Sequence, residues 1–172
     1  MGKPGAVSWI RRHKGCIWLG LAVISVLTFW GLQSCSEGKT KAYAGPALVI
    51  DVDDGDSFTV KINGHKDRVR ILGMDAPELG QPYGKKAGLY LTSLLKKQTV
   101  SLSCVARDKY HRLLCHVRHH NYNIASIMVG AGLAWSYSKQ LKSLENAARQ
   151  NRLGLWRASN PIRPRKWRKV NP

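Results

Sequence analysis

Hydrophobic and polar residues alternate with a period of two in three consecutive segments, 48–53, 57–62 and 68–71. Such alternation is typical of β-strands that bury one face. The apolar positions, which we expect to face a core, are Leu48, Ile50, Val52, Phe58, Val60, Ile62, Val69 and Ile71. Asn63-Gly64 predicts a tight hairpin between the second strand and the third.

Residues 85–97 have the spacing of an amphipathic helix. Its expected buried stripe consists of Leu89, Leu91, Leu94 and Leu95. Two further strands are predicted over 99–106 and 112–118, and short helices over 124–129 and 141–149. Five short strands with about three helices favour an α+β fold built on a five-stranded β-barrel of the OB type. A two-sheet sandwich is the alternative, but it normally contains more strands.

The first residues of the chain have a different pattern. A basic cluster at 11–14 precedes an apolar run over 16–32, which is the arrangement of an export signal. The run ends in Leu32-Gln33-Ser34-Cys35, which is similar to a bacterial lipobox in which Cys35 is lipidated. An uncleaved signal anchor is the alternative. Because positive charge precedes the apolar run, we expect the rest of the chain to be extracytoplasmic, either membrane-anchored or secreted.

These patterns divide the chain into four parts. We expect a signal peptide or membrane anchor over 1–34, a linker over 35–45, a folded domain over 46–157 and a basic tail containing Pro and Trp over 158–172.

The net charge of +18 favours a polyanionic partner, either nucleic acid or an anionic membrane surface. Residues 1–34 hold only four of the 28 basic residues, so most of the excess belongs to the domain. Seven of the ten acidic residues lie between positions 51 and 78, where we expect them to hold a cation. A set of acidic turns and strand ends is the alternative. Carboxylate ligands suit calcium or magnesium better than zinc, and we expect the histidines near position 118 to be surface residues.

Several motifs follow one another at characteristic spacings. They are Asp54-Gly55-Asp56-Ser57, Arg70-x-x-x-x-Asp75-x-Pro77-Glu78, Gln81-Pro82-Tyr83-Gly84, Asp108-Lys109-Tyr110-His111-Arg112, Gly132-Leu133-Ala134-Trp135 and Gly154-Leu155-Trp156. In this order they resemble the staphylococcal nuclease (thermonuclease) family, over about residues 48–167.

The resemblance implies a calcium-dependent nuclease that hydrolyses phosphodiester bonds of DNA and/or RNA and leaves 3′-phosphates, and the N-terminal segment implies that it is exported. The resemblance also implies that the carboxylates of Asp56 and Asp75 and the backbone carbonyl of Ala76 bind Ca²⁺. A catalytically inactive nucleic-acid-binding module of the same fold is the alternative. A basic lipoprotein that only coats an anionic envelope would explain the charge but leave the acidic cluster without a role.

The same resemblance assigns catalytic roles to three residues. Glu78 would act as general base or water-positioning carboxylate, while Arg70 and Arg112 would bind the phosphate and stabilise the transition state. Lys109 and Tyr110 match positions that bind a terminal phosphate in the family. Family members that have lost catalysis lack the arginines or the glutamate. The presence of Arg70, Glu78 and Arg112 therefore favours the enzyme over the binding module.

Other residues near these motifs have structural explanations. We expect Asp54 to cap its turn, Glu145 to be an exposed helix residue, and Trp135 and Trp156 to pack in the interior. His111 replaces a glycine that is usual in the family, and histidine tolerates positive φ better than most residues.

The four cysteines fall into two groups. Cys16 and Cys35 belong to the N-terminal segment, which leaves Cys104 and Cys115 as a pair outside the cytoplasm. Alternation places both on the core face of neighbouring strands, so we predict a disulfide, with two buried thiols as the alternative.

Overall fold

The computed structural model describes residues 42–171. The strands are β1 (Tyr43–Val52), β2 (Ser57–Ile62), β3 (His65–Ile71), β4 (Met74–Asp75), β5 (Thr99–Arg107), β6 (Leu113–His119), β7 (Tyr122–Asn123) and β8 (Trp135–Ser136). The α-helices are α1 (Gly84–Leu95), α2 (Ile124–Gly130), α3 (Lys142–Gln150) and α4 (Pro164–Val170). Single 3-10 turns cover Lys139–Leu141 and Gly154–Arg157.

The predicted signal or anchor over 1–34, Cys35 and most of the predicted linker lie outside the described residues. Within residues 42–171 there is no helix whose length and apolar character would allow it to cross a membrane. Strand β1 begins at Tyr43, so the end of the predicted linker belongs to the folded domain.

Five strands form a closed barrel. Four antiparallel pairings give the order β3-β2-β1-β5-β6, and a parallel pairing between β3 and β6 closes it. This closure sets Arg70 opposite Leu114, next to the loop that carries Arg112. The predicted α+β fold with an OB-type barrel is confirmed, with four α-helices in the described part of the chain instead of about three.

The buried face of β1 differs from the prediction. Val49 is buried, whereas Leu48, expected in the core, is 43% exposed. The pairing of β1 with β2 shifts register between Val49 and Asp51, which is a β-bulge. Because the bulge interrupts strict alternation, Val49 before it and Val52 after it both pack against the core.

Helix α1 also presents a different face from the one predicted. Ala87, Leu91 and Leu95 are buried, and Leu89 is 70% exposed. The small residue Ala87 lets the helix approach the β1–β2 turn very closely. A Cβ atom added at Gly55 would lie only 2.7 Å from the Cβ of Ala87, so this turn requires glycine.

Glu145 on α3 is fully buried, so the prediction of an exposed residue was wrong. Its carboxylate accepts hydrogen bonds from the backbone N–H of Ser136 (2.8 Å), from Lys142 Nζ (3.1 Å) and from Arg149 Nε (2.9 Å). These bonds tie α3 to β8, beside a small second core that contains Trp135 and Trp156 in edge-to-face contact. Both tryptophans therefore pack in the interior, as the sequence predicted.

Cys104 and Cys115 face each other across β5 and β6, and the structure joins them in a disulfide. Both side chains are buried in the barrel core, as alternation predicted.

Part of the predicted basic tail forms helix α4. Pro164 occupies its first turn, where proline is favoured because the N–H of that position has no intrahelical partner. Pro161 and Ile162 before the helix line a cleft with Tyr83 and Trp135, and Pro164 itself is buried.

Candidate active site

The turn between β1 and β2 presents Asp56 to the interior. Asp54 Oδ1 accepts hydrogen bonds from the backbone N–H groups of Asp56 (2.9 Å) and Ser57 (2.7 Å), so Asp54 caps the turn as the sequence suggested. Asp56 is almost completely buried, and its Oδ2 accepts from the backbone N–H of Ala76 at 2.8 Å. This bond links the β1–β2 turn to the segment that follows β4.

Arg70, near the end of β3, connects the two aspartates. Its Nη1 donates to Asp56 Oδ1, and its Nη2 donates to Asp75 Oδ1 at 2.6 Å. Burial raises the pKa of Asp56 well above its usual range, an effect that the charge of Arg70 only partly opposes. Burial alone would lower the pKa of Arg70, but the charges of Asp56 and Asp75 raise it above its usual value.

Arg112 is held in a preformed loop between β5 and β6. Asp108 Oδ1 accepts from the backbone N–H groups of Tyr110 (2.9 Å) and Arg112 (3.0 Å), and Oδ2 accepts from Arg112 Nε (2.9 Å). Burial tends to raise the pKa of Asp108, but these donors hold it below its usual value. His111 has a φ of 62°, so it adopts the left-handed conformation that the usual glycine would favour.

Glu78 lies in the loop between β4 and α1. The loop is tight, since a Cβ added at Gly84 would lie 1.7 Å from the carbonyl oxygen of Glu78. The Gln81 backbone N–H donates to the same oxygen at 2.8 Å. The Glu78 carboxylate is partly exposed, so water can reach it.

A groove of about 630 Å³ brings these groups together. Three of its lining residues are those to which the sequence assigned catalysis. The full lining is Asp54, Arg68, Arg70, Leu72, Glu78, Tyr110, Arg112, Leu114, Tyr137 and Arg168. Asp56 and Asp75 contact Arg70 beneath the groove. Tyr110 lines it with its ring 5.5 Å from Arg112 Cζ, whereas Lys109 is outside the lining and lies 5.0 Å from the Tyr110 ring.

Sequence reasoning missed three residues of this site. Asp108 was part of a recognised motif but had no assigned role, although an aspartate at the start of a turn commonly accepts hydrogen bonds from the backbone N–H groups that follow it. Tyr137 lines the groove but lies two residues beyond the Gly132-Leu133-Ala134-Trp135 motif. Arg168 comes from α4, and no local pattern indicates that this helix reaches the groove.

The proposed metal ligands agree chemically with calcium. Asp56, Asp75 and the carbonyl of Ala76 are hard oxygen donors near the groove, and Ca²⁺ prefers such donors. The two oxygens of Asp56 accept hydrogen bonds from Arg70 and from the backbone N–H of Ala76. Over residues 42–171, no group of three or more acidic, histidine or cysteine side chains is placed to hold a metal.

The fold and site define a class of protein: an α+β protein with an OB-type barrel and a groove lined by arginines and carboxylates. Paired guanidinium groups of this kind bind phosphate oxygens. The chain belongs to the staphylococcal nuclease family. The profile of that family, described as staphylococcal nuclease homologue, matches residues 68–158.

Individual relatives agree with this assignment. The chain is 34% identical over 151 residues to a protein of Haemophilus influenzae named uncharacterized endonuclease, covering 84% of this chain and 82% of that protein. It is 35% identical over 139 residues to a micrococcal nuclease of Shigella flexneri, and this match covers 72% of this chain and 80% of that protein. It is also 36% identical over 109 residues to a staphylococcal-like nuclease of Arabidopsis thaliana, and this match covers 60% of this chain and 34% of that protein.

Proposed function

We propose that the protein is a calcium-dependent nuclease that hydrolyses phosphodiester bonds of DNA and/or RNA and leaves 3′-phosphate products. The observation that carries this proposal is that Arg70, Glu78 and Arg112 line one groove, although they come from three separate segments of the chain. The strongly basic composition supports a polyanionic substrate.

The reaction needs one base and stabilisation of negative charge. Glu78 accepts a proton from water, whose oxygen bonds to phosphorus while the bond from phosphorus to the 5′ oxygen breaks. The leaving oxygen takes a proton from solvent, and the phosphate remains on the 3′ side. Arg70 and Arg112 donate hydrogen bonds to phosphate oxygens as their negative charge grows.

Asp56, Asp75 and the carbonyl of Ala76 would hold Ca²⁺, which when bound supplies positive charge beside the phosphate. Asp108 keeps the guanidinium of Arg112 oriented before substrate arrives. Such preorganisation lowers the cost of arranging charges during the reaction.

Incubating the purified protein with supercoiled plasmid tests the proposal. We expect cleavage with calcium and none with a chelator, and products that prime DNA synthesis only after phosphatase treatment. A parallel incubation with RNA gives the substrate range. Cleavage in chelator would refute the metal requirement, and DNA binding without cleavage in any divalent cation would favour the inactive binding module.

We also propose that the domain acts outside the cytoplasm, anchored through Cys35 or the apolar run at 16–32, or secreted. The disulfide between Cys104 and Cys115 supports an oxidising compartment. Mass spectrometry of protein expressed in a bacterial host should find these two cysteines bonded, and it should find lipid on Cys35 if the protein is a lipoprotein. Free thiols at both positions in the exported protein would contradict the disulfide, and wild-type protein found in the cytosol would contradict export.

A further inference from the structure

The segment after the last 3-10 turn returns to the loop that carries Glu78. Pro161 and Ile162 line an apolar cleft together with Tyr83 and Trp135. Helix α4 starts directly afterwards, with Pro164 buried at its first turn. The segment is therefore packed against the beginning of α1, and it is not a free tail.

Gln81 connects this segment to the backbone of Glu78. Its Nε2 donates to the carbonyl oxygen of Ile162, and its Oε1 accepts from the backbone N–H of Glu78 at 3.2 Å. The side chain is only 5% exposed, and both ends of its amide have partners. A buried amide that donates at one end and accepts at the other fixes the distance between the two segments that it joins.

Arg168 on α4 contacts the carboxylates of the site directly. Its Nη1 donates to Glu78 Oε1, and its Nη2 lies 3.7 Å from Asp75 Oδ2. The Arg168 side chain is 47% exposed, so the pair contributes little to folding stability. What the pair does supply is orientation, because it occupies one oxygen of Glu78 and leaves Oε2 for water.

We propose that Arg168 and Gln81 are positioning residues for Glu78, and that helix α4 contributes to the active site through Arg168. The inference rests on the proposed function, in which Glu78 is the general base. Gln81 fixes the backbone of Glu78 and Arg168 fixes its carboxylate. A small misplacement of a catalytic group is expected to lower the chemical rate far more than substrate affinity.

The first test measures kcat and KM separately for cleavage of a short DNA with calcium. Arg168→Gln should lower kcat by about 10- to 100-fold while KM changes by less than about threefold. Arg168→Lys should recover part of the rate, because lysine can still pair with one carboxylate oxygen. Arg165→Gln is the matched control, since Arg165 is exposed on the same helix and belongs to none of the ion pairs of Asp75 and Glu78. It should keep the wild-type kcat.

The second test asks whether Arg168 acts through Glu78. In single turnovers with excess enzyme, adding Arg168→Gln to Glu78→Gln should cause no further loss of rate, because the group to be positioned is already disabled. Gln81→Met should give the same pattern, with a loss in the wild-type background and none in Glu78→Gln.

Three results would overturn the proposal: an unchanged kcat in Arg168→Gln, an additional loss in the Glu78→Gln background, or a rise in kcat. A rise would mean that Arg168 blocks the groove until substrate displaces it. A failure of the proposed function would give a different result from a failure of the positioning role, because Glu78→Gln alone would then cut at the wild-type rate. If wild type cuts and Glu78→Gln does not, only the Arg168 and Gln81 variants decide the positioning role.

Discussion

At the scale of single residues, Glu78→Gln keeps the size and reach of the side chain but removes its capacity to accept a proton. We expect the cleavage rate to fall about 100- to 10,000-fold. DNA affinity should not weaken, because the substitution removes a negative charge close to a phosphate. Cleavage assays and fluorescence anisotropy with a short duplex, both in calcium, measure the two effects.

Asp51→Asn is the control for the loss of a carboxylate. Asp51 is exposed, pairs with Lys96 and does not line the groove, so this variant should cut at the wild-type rate. A Glu78→Gln protein as active as Asp51→Asn would place the general base elsewhere.

Arg70→Lys tests whether geometry matters beyond charge. Arg70 donates from two nitrogens to Asp56 and Asp75, and one ammonium group cannot reproduce this arrangement together with a phosphate contact. We expect a loss of about 100-fold or more in kcat, the range found when one transition-state donor is removed. Arg68→Lys, two residues earlier on β3 and exposed, should cost much less. Equal losses in the two variants would contradict a specific role for Arg70.

At the scale of elements, Glu145 determines how α3 joins β8. In Glu145→Gln, the hydrogen-bond donors of Ser136, Lys142 and Arg149 lose their charged acceptor. We expect this substitution to reduce the free energy of unfolding by about 2 kcal/mol at neutral pH. Urea denaturation followed by tryptophan fluorescence measures this difference.

The same variant has a defined pH dependence. Burial tends to raise the pKa of Glu145, but its three donors hold the pKa below the ordinary value of 4.5. A carboxylate with a lowered pKa in the folded state stabilises the protein above its unfolded-state pKa, and that stabilisation disappears as pH falls through the folded-state value. The stability difference between wild type and Glu145→Gln should therefore be constant near neutrality and shrink once the pH falls below the ordinary value of 4.5. A difference that does not change with pH would mean that ionisation of Glu145 is not its source.

At the scale of the whole molecule, the net charge of +18 predicts strongly salt-dependent binding. Glu78→Gln protein in calcium is expected to cut duplex DNA slowly enough for its binding to be measured. The logarithm of its association constant should fall linearly with the logarithm of potassium chloride concentration, with a slope of roughly −0.9 per phosphate contacted. Adding Arg68→Gln should reduce the slope by about one if Arg68 contacts a phosphate from the groove. Binding that is independent of salt would exclude the groove as a phosphate-binding surface.

The sequence by itself determined the five strands of the barrel, the type of barrel and the residue types of the site. Strand alternation is a local property, so Phe58, Val60 and Ile62 could be placed in the core without knowledge of their partners. The motifs carrying Arg70, Glu78 and Arg112 were also recognised, because the spacing of residue types within each motif is read directly from the chain.

Tertiary structure decided which surfaces meet. A bulge in β1 buries Val49 in place of Leu48, and close packing on the β1–β2 turn selects the face of α1 that leaves Leu89 exposed. Neither feature is visible in a periodic pattern, since both depend on a neighbouring segment.

The same reason explains Glu145 and Arg168. The burial of Glu145 depends on β8 packing against α3, and the contact between Arg168 and Glu78 joins residues 90 positions apart in the chain. Local sequence shows that a side chain is charged, but only the folded chain places its partner beside it. The motifs therefore supply Arg70, Glu78 and Arg112 to the groove, while closure of the barrel and the packing of α4 determine how these groups are arranged.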